Sequence, residues 1–398
     1  MWSRRQFIQL AACTLTLACS KRRAAPVRRS RGPRHVVIAH LDGGIDPILT
    51  TDPKKRGQVA TGVDAPVEEI VQAGGLALGP HLAAFAPFAS RMAIVNGVHL
   101  DTANHFSGWA QISRLRTNVV PQMPAILDLI GEYGDQPLAA ISFGSLAPPQ
   151  YTAGYADGSH VFDFHRSSHE QLASVHQTFE ARARSLAKIA PDPRGQHTAD
   201  TYRRIGRLAE ALEKVPVFEP QDWNVYDKRL AEQLQRLLWA LEHDLTRCAF
   251  VKVQPYSGWD SHTNNFIQQR NCSRAFTEVF SRFLQELQKR ALIDNTMVIA
   301  GSEIGRFPLL NGSAGKDHYP ECPFMLFGAG VKTNATYGAT DERMTAVPID
   351  LATGKRAPRG GHKVRLDDVG ASVLAAVGIE PDACGYEGKV LPFLVERA

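Results

Sequence analysis

Six short runs of apolar, mostly β-branched residues recur along this chain, at positions 35–41, 92–96, 139–143, 250–253, 296–300 and 324–327. Several are too continuously apolar for strands with one wet face, and they suit a sheet covered on both sides. Between them the apolar spacing changes to that of helices. Phe266, Cys272, Phe276, Val279, Phe280, Phe283, Leu284 and Leu287 mark one helical face, and Leu230, Leu234, Leu237, Leu238 and Leu241 mark another. This alternation predicts an α/β fold, layered around a largely parallel sheet, as one domain over residues 35–398. The charged, helical segment from His169 to Leu212, broken at Pro191 and Pro193, is expected as a helical insertion at about 165–215 rather than a second domain.

The N-terminus reads as an export signal over residues 1–19. Arg4 and Arg5, followed by Phe7 and Ile8, precede an apolar stretch over 10–18 and resemble the twin-arginine signal that carries folded proteins across the inner membrane. The stretch is far below the roughly 20 residues of a membrane span. Cys13 and Cys19 each follow letters similar to a bacterial lipoprotein box, with Cys19 in the better position for a lipid anchor. The expected location is the periplasm or cell envelope. A basic linker follows over residues 20–34, free of acidic residues and containing two prolines.

Nine positive charges lie before residue 35, so a chain of net charge +5 leaves a globular part at −4. The pI of 8.9 therefore belongs to the leader and the linker, and it does not point to nucleic acid. Cys248, Cys272, Cys322 and Cys384 show no C-x-x-C spacing, which argues against a thiolate zinc cluster. An oxidising destination would permit a disulfide, but the spacing selects no pair.

Open α/β sheets do their chemistry beyond the carboxyl ends of the strands. There the sequence places Asp42, Gly43, Gly44 and Asp46 after the first run, and His99, Asp101, Asn104 and His105 after the second. Trp259, Asp260, Ser261 and His262 follow the fourth run; Ser302, Glu303 and Arg306, then Asp317 and His318, follow the fifth. Carboxylates and imidazoles arriving from several strand ends are the donors a divalent metal would use. In Asp260-x-His262 the alternation of an extended chain turns both side chains the same way. Asp317 and His318 lie in an expected Gly-rich loop between Gly312 and residues that follow Gly315.

In order, Gly43-Gly44-Ile45-Asp46, Trp259-Asp260-Ser261-His262, Ser302-Glu303-Ile304-Gly305-Arg306, Asp317-His318 and Tyr337-Gly338 resemble the motifs of the domain of unknown function 1501 family. That family is a sulfatase-like branch of the alkaline phosphatase superfamily, and the resemblance covers most of the chain after the linker. It implies an alkaline-phosphatase-like three-layer sandwich and hydrolysis of a phosphate or sulfate ester. It also implies a divalent metal, Zn, Mn or Ca, held by Asp42 or Asp46, Asp260, His262, Glu303, Asp317 and His318, with His362 as an outlying candidate. The chain departs from the family where Asn104 precedes His105 and Phe106 in place of a serine, and where Ile304 replaces Phe.

The catalytic candidates are Ser107, Thr102, His105 and Arg306. Ser107 stands before an expected helix start, where backbone N–H groups would favour an anion, but a plain N-cap serine fits the same letters. Arg306 could clamp an anion or close a turn by pairing with Glu303. No Cys/Ser-x-Pro/Ala-x-Arg motif of formylglycine sulfatases is found in the expected loop. Two function classes follow: an exported metal-dependent hydrolase of an anionic ester, or an inactive sulfatase-like envelope protein that binds a partner, such as another exported protein.

Overall fold

The computed structural model describes residues 32–59, 67–120, 123–144, 155–157, 169–189, 193–255 and 258–396. The paired arginines, Cys13, Cys19 and the linker up to residue 31 lie outside these described residues. So does the start of the expected insertion at 165–168.

The strands are β1 (His35–Leu41), β2 (Val71–Ala73), β3 (Leu76–Leu78), β4 (Met92–His99), β5 (Leu138–Phe143), β6 (Tyr155–Asp157), β7 (Thr246–Val253), β8 (Thr296–Gly301), β9 (Gly305–Leu310), β10 (Lys316–Tyr319), β11 (Glu321–Gly328) and β12 (Ala335–Gly338). Eight form the main sheet in the order β12-β4-β11-β8-β1-β7-β5-β6. All its neighbours pair in parallel except at β11, which runs antiparallel to both β4 and β8. Each of the six apolar runs falls within a strand of this sheet. Every residue of β1, β5, β8 and β11 is buried, so both faces of the sheet are covered and the architecture is three-layered.

The main helices are α1 (His105–Ile112), α2 (Ile126–Glu132), α3 (His169–Ile189), α4 (Pro193–Glu213), α5 (Lys228–Glu242), α6 (Asn265–Lys289) and α7 (Leu366–Ala376). Helices α3 and α4 pack against each other within the segment expected as a helical insertion. Helix α5 buries Leu230, Leu234, Leu237, Leu238 and Leu241, and α6 buries Phe276, Val279, Phe280, Phe283, Leu284 and Leu287. Each such side chain contributes about 1.5–3 kcal/mol by leaving water. The apolar spacing in the sequence located both faces because those faces meet the sheet.

Two local expectations are corrected. Asp317 and His318 are not in a loop: they sit in β10, which folds back on β9 as an antiparallel hairpin. Short strands with mixed polarity, such as Lys316–Tyr319, carry too little apolar signal to be seen in sequence. Ser107 is not an N-cap either, because α1 begins two residues earlier and is capped by Asn104, whose side chain accepts from Phe106 N and Ser107 N. Asparagine caps as well as serine. The four described cysteines are free, and Cys248, Cys272 and Cys322 are buried.

Candidate metal centre

Parallel strands deliver their ends to one edge, which is why distant sequence segments meet here. Strand β1 ends beside Asp42, β4 leads to α1 and His105, β7 leads to Asp260 and His262, and β8 leads to Glu303. The antiparallel β11 starts at this same edge, so the β9–β10 hairpin just before it brings in Asp317 and His318. The Gly43-Gly44 turn packs directly on the Asp260 loop. Gly43 has φ +125°, and a Cβ there would come 2.5 Å from Asp260 N, so only glycine allows the two loops to touch.

Three histidines surround Asp260. His105 Nε2 lies 3.4 Å from Asp260 Oδ2, and His262 Nε2 and His318 Nε2 lie 3.1 and 3.4 Å from Oδ1. The Nε2 atoms of His262 and His318 are 2.9 Å apart. The other nitrogen of each ring faces an acceptor: Glu303 Oε1 at 2.7 Å for His105, Asp317 Oδ1 at 3.1 Å for His262, and the Ala103 carbonyl at 2.9 Å for His318. Each ring therefore stands between two acceptors, Asp260 on the Nε2 side and a carboxylate or carbonyl on the Nδ1 side, and a neutral ring has a hydrogen for only one of them. A second proton on the ring, or a cation on its Nε2 side, satisfies the contact left over.

The spacing fits a cation. Donors placed tetrahedrally about 2.0 Å from a zinc ion stand about 3.3 Å apart; the imidazole contacts with Asp260 and the His262–His318 contact run from 2.9 to 3.4 Å, with His105 on Oδ2 and the other two rings on Oδ1, and donor atoms of His105, Asp260 and His318 all lie within 4.8 Å of one another. His105 Nε2 is also buried with no hydrogen-bond partner of good geometry. Imidazoles steered through Nδ1 by carboxylate or carbonyl are the usual supporting pattern of metal-binding histidines. Asp317, largely exposed, belongs to that support: it accepts from His262 and from Asn311 Nδ2 at 3.2 Å.

The same contacts set the proton affinities. The nearby carboxylates of Asp260 and then Glu303 push the His105 imidazole up to about 9, so the metal-free protein carries a proton that a metal must displace. Burial would raise Asp260, but hydrogen bonds from His105 and Arg306 hold it well below the ordinary carboxylate range. Burial of His318 lowers its proton affinity, favouring the neutral ligand form.

Glu303 stands at the middle of the site but is fully committed. It accepts from His105 Nδ1, from His40 Nε2 at 2.8 Å, from Gly43 N at 2.9 Å and from Ser302 Oγ at 3.0 Å. Burial opposes its ionisation, yet the His40 and His105 contacts keep it well below the ordinary range. Its geometry makes it an anchor for His105 more than an open ligand. His40, Asp42 and Glu303 form a second group of converging donors. There Asp42 is already paired with Lys252 Nζ at 2.9 Å and Trp109 Nε1 at 2.7 Å. A second ion would have to displace the lysine.

Several sequence candidates are placed elsewhere. Asp46 is fully buried away from the cluster, bonded to Lys316 Nζ and Asn265 Nδ2, each at 2.7 Å, so it braces a turn. Arg306 neither clamps an exposed anion nor pairs with Glu303. Fully buried, it donates to Asp260, to the Gly43 carbonyl and to the Lys316 carbonyl, locking the three loops together. Thr102 Oγ1 accepts from Asn104 N. Ser107 follows His105 by two helical positions, about 200° around α1, which turns it from the face that carries His105 and Trp109. His362 bonds Asp368 at the start of α7, at 2.6 Å.

Reading the sequence missed His40, Lys252, Trp109 and Gln269. His40 shares a strand face with Asp42, and Lys252 is the one charge in an otherwise apolar run, so both carried a signal. Trp109 lies one helical turn beyond His105. Gln269, buried in α6, ties the Gly44 and Trp259 carbonyls to Asp46 N, a role no pattern announces. Beside the cluster opens a cleft of about 600 Å³, lined by Asp42, His105, Trp109, Asp227, Arg229 and Gln254 among others.

A parallel α/β sheet that gathers three imidazoles and a carboxylate at its carboxyl edge defines an α/β protein with a candidate divalent-metal centre. The chain belongs to the family described as proteins of unknown function DUF1501, whose model matches residues 165–393. No curated protein matches it. Similar solved structures include the lipoteichoic acid synthase of Listeria monocytogenes, at 11% identity over 92% of this chain and 76% of that one, with a TM-score of 0.44. They also include a sulfatase from Pseudoalteromonas sp., at 10% identity over 100% and 77% with a TM-score of 0.43, and TAB5 alkaline phosphatase, at 10% over 75% and 92% with a TM-score of 0.35. Likeness at this level assigns no residue a role.

Proposed function

We propose that this protein is a metal-dependent hydrolase of phosphate or sulfate esters, exported to the cell envelope by its N-terminal signal and held there by a lipid on Cys19. The observation that carries the enzymatic reading is the convergence of His105, His262 and His318 on the Asp260 carboxylate at 3.1 to 3.4 Å. A bound divalent ion would supply charge neutralisation of the ester and a water of lowered pKa. The chain's own groups do the rest: Asp260 and the three imidazoles hold the ion, Glu303 and Asp317 orient the rings, and Arg306 fixes the loop geometry. The donors, nitrogen and carboxylate oxygen, favour zinc over calcium.

One observation supports the second class, an inactive sulfatase-like protein that binds a partner in the envelope. Asn104 stands where the family has serine, its carboxamide caps α1, and neither Ser107 nor Thr102 is turned to Asp260. Elemental analysis of the purified protein, wild type against Asp260→Ala and His262→Ala, separates the two. Stoichiometric metal lost in both variants, with metal-dependent turnover of nitrophenyl phosphate or sulfate, supports the hydrolase. A wild type that neither retains nor binds zinc or manganese sinks it.

A further inference from the structure

The cleft beside the cluster has two chemically different ends. Its inner end is Asp42, His105 and Asp260; its outer end is Asp227, Arg229 and Gln254, with Trp109 between. Asp227 is buried, and its carboxylate caps α5 by accepting from Leu230 N at 2.9 Å. Arg229 is exposed, and one of its terminal N–H groups donates to the Gln254 carbonyl at 2.9 Å. Among the described residues it forms no ion pair. It is therefore a guanidinium held by one arm at the lining of the cleft.

Its position makes a purely structural role costly. Arg229 lies in the first turn of α5, where the helix dipole disfavours a cation by a few tenths to about 1 kcal/mol. A volume of about 600 Å³ is in the range that encloses a ligand of drug or disaccharide size.

We propose that the cleft is the leaving-group subsite and that Arg229 receives a second negative group on the substrate, so that the ester acted on is anionic at both ends. This rests on the hydrolase reading. The shared chemistry of the second group is a carboxylate, sulfate or phosphate held bidentately by the guanidinium.

The test uses full-length zinc-loaded protein and two series of non-hydrolysable probes, alkylphosphonates and α,ω-alkane bisphosphonates of two to eight carbons, by calorimetry. At a chain length that spans the cleft, the bisphosphonate should bind roughly tenfold tighter than the matching monophosphonate, the size of one added charged hydrogen-bonded pair. Arg229→Gln should remove that gain and leave monophosphonate binding unchanged, while Arg229→Lys keeps part of it. Thermal unfolding controls for folding. No bisphosphonate preference at any length, or a preference kept by Arg229→Gln, overturns the inference. Absence of zinc-dependent monophosphonate binding overturns the hydrolase reading and the inference with it, whereas monophosphonate binding without a bisphosphonate gain overturns the inference alone.

Discussion

Removing one imidazole from the cluster separates ligation from structural pairing. His318 contributes Nε2 to the group around Asp260 and otherwise holds only the Ala103 carbonyl through Nδ1. Asp260 contributes a carboxylate to the same group and is also the counter-charge of the fully buried Arg306. If four donors share a zinc binding energy of about 10–16 kcal/mol, one donor is worth about 3 kcal/mol, near a hundredfold in affinity. His318→Ala and Asp260→Asn should therefore both lose metal by roughly this factor, measured by chelator competition and elemental analysis. They should differ without metal. Asp260→Asn leaves a buried guanidinium without its anion, at about 1.5–3 kcal/mol, and should unfold a few degrees lower than wild type after chelation. His318→Ala should unfold within about a degree of it. A His318→Ala protein that keeps wild-type zinc content and affinity would refute the assignment. Equal instability of both metal-free variants would refute the role given to the Asp260–Arg306 pair.

Zinc affinity should rise with pH, because below about 9 the metal must expel the proton on His105. Calorimetry between pH 6 and 8 should show about tenfold tighter binding per unit and proton release; a flat profile contradicts it. Ser107→Ala and Thr102→Val should leave phosphonate binding and any ester turnover within about twofold, measured side by side with wild type. Lys316→Met strands the buried Asp46 carboxylate and should cost about 3–5 kcal/mol in urea unfolding, a value near zero showing that the pair is dispensable. Gly43→Ala drives a methyl into the Asp260 loop. It should reduce zinc affinity more than Gly57→Ala, whose added methyl meets open space, and equal affinities would remove the argument for close packing.

The strands and the two amphipathic helix faces were legible because burial repeats with the local geometry of the chain. A fully covered strand such as β1 or β8 is apolar at every position, and Leu230 to Leu241 repeat at helical spacing. The site was legible in part for the same reason, since donors that follow strand ends can be found once the strands are found. Asp260, His262 and His318 appeared this way. The β9–β10 hairpin did not, because six exposed or mixed residues leave no apolar period to read. Nor did Gln269, whose importance lies in the loop groups it ties together.

By itself, then, the order of residues determined the layered α/β plan, the edge at which chemistry gathers and the residue types available there. Tertiary structure alone decided how those residues divide their work. Asp42 and Asp46 stand four positions apart with the same carboxylate, yet one joins Lys252 and Trp109 at the cleft and the other is sealed against Lys316 and Asn265. Glu303, Asp260 and Asp317 are equally good ligands as letters, but the donors packed around each leave Asp260 facing three imidazoles and turn the other two toward holding them. A side chain's role follows from which of its lone pairs remain free after packing, and that count is made only when the chain has folded.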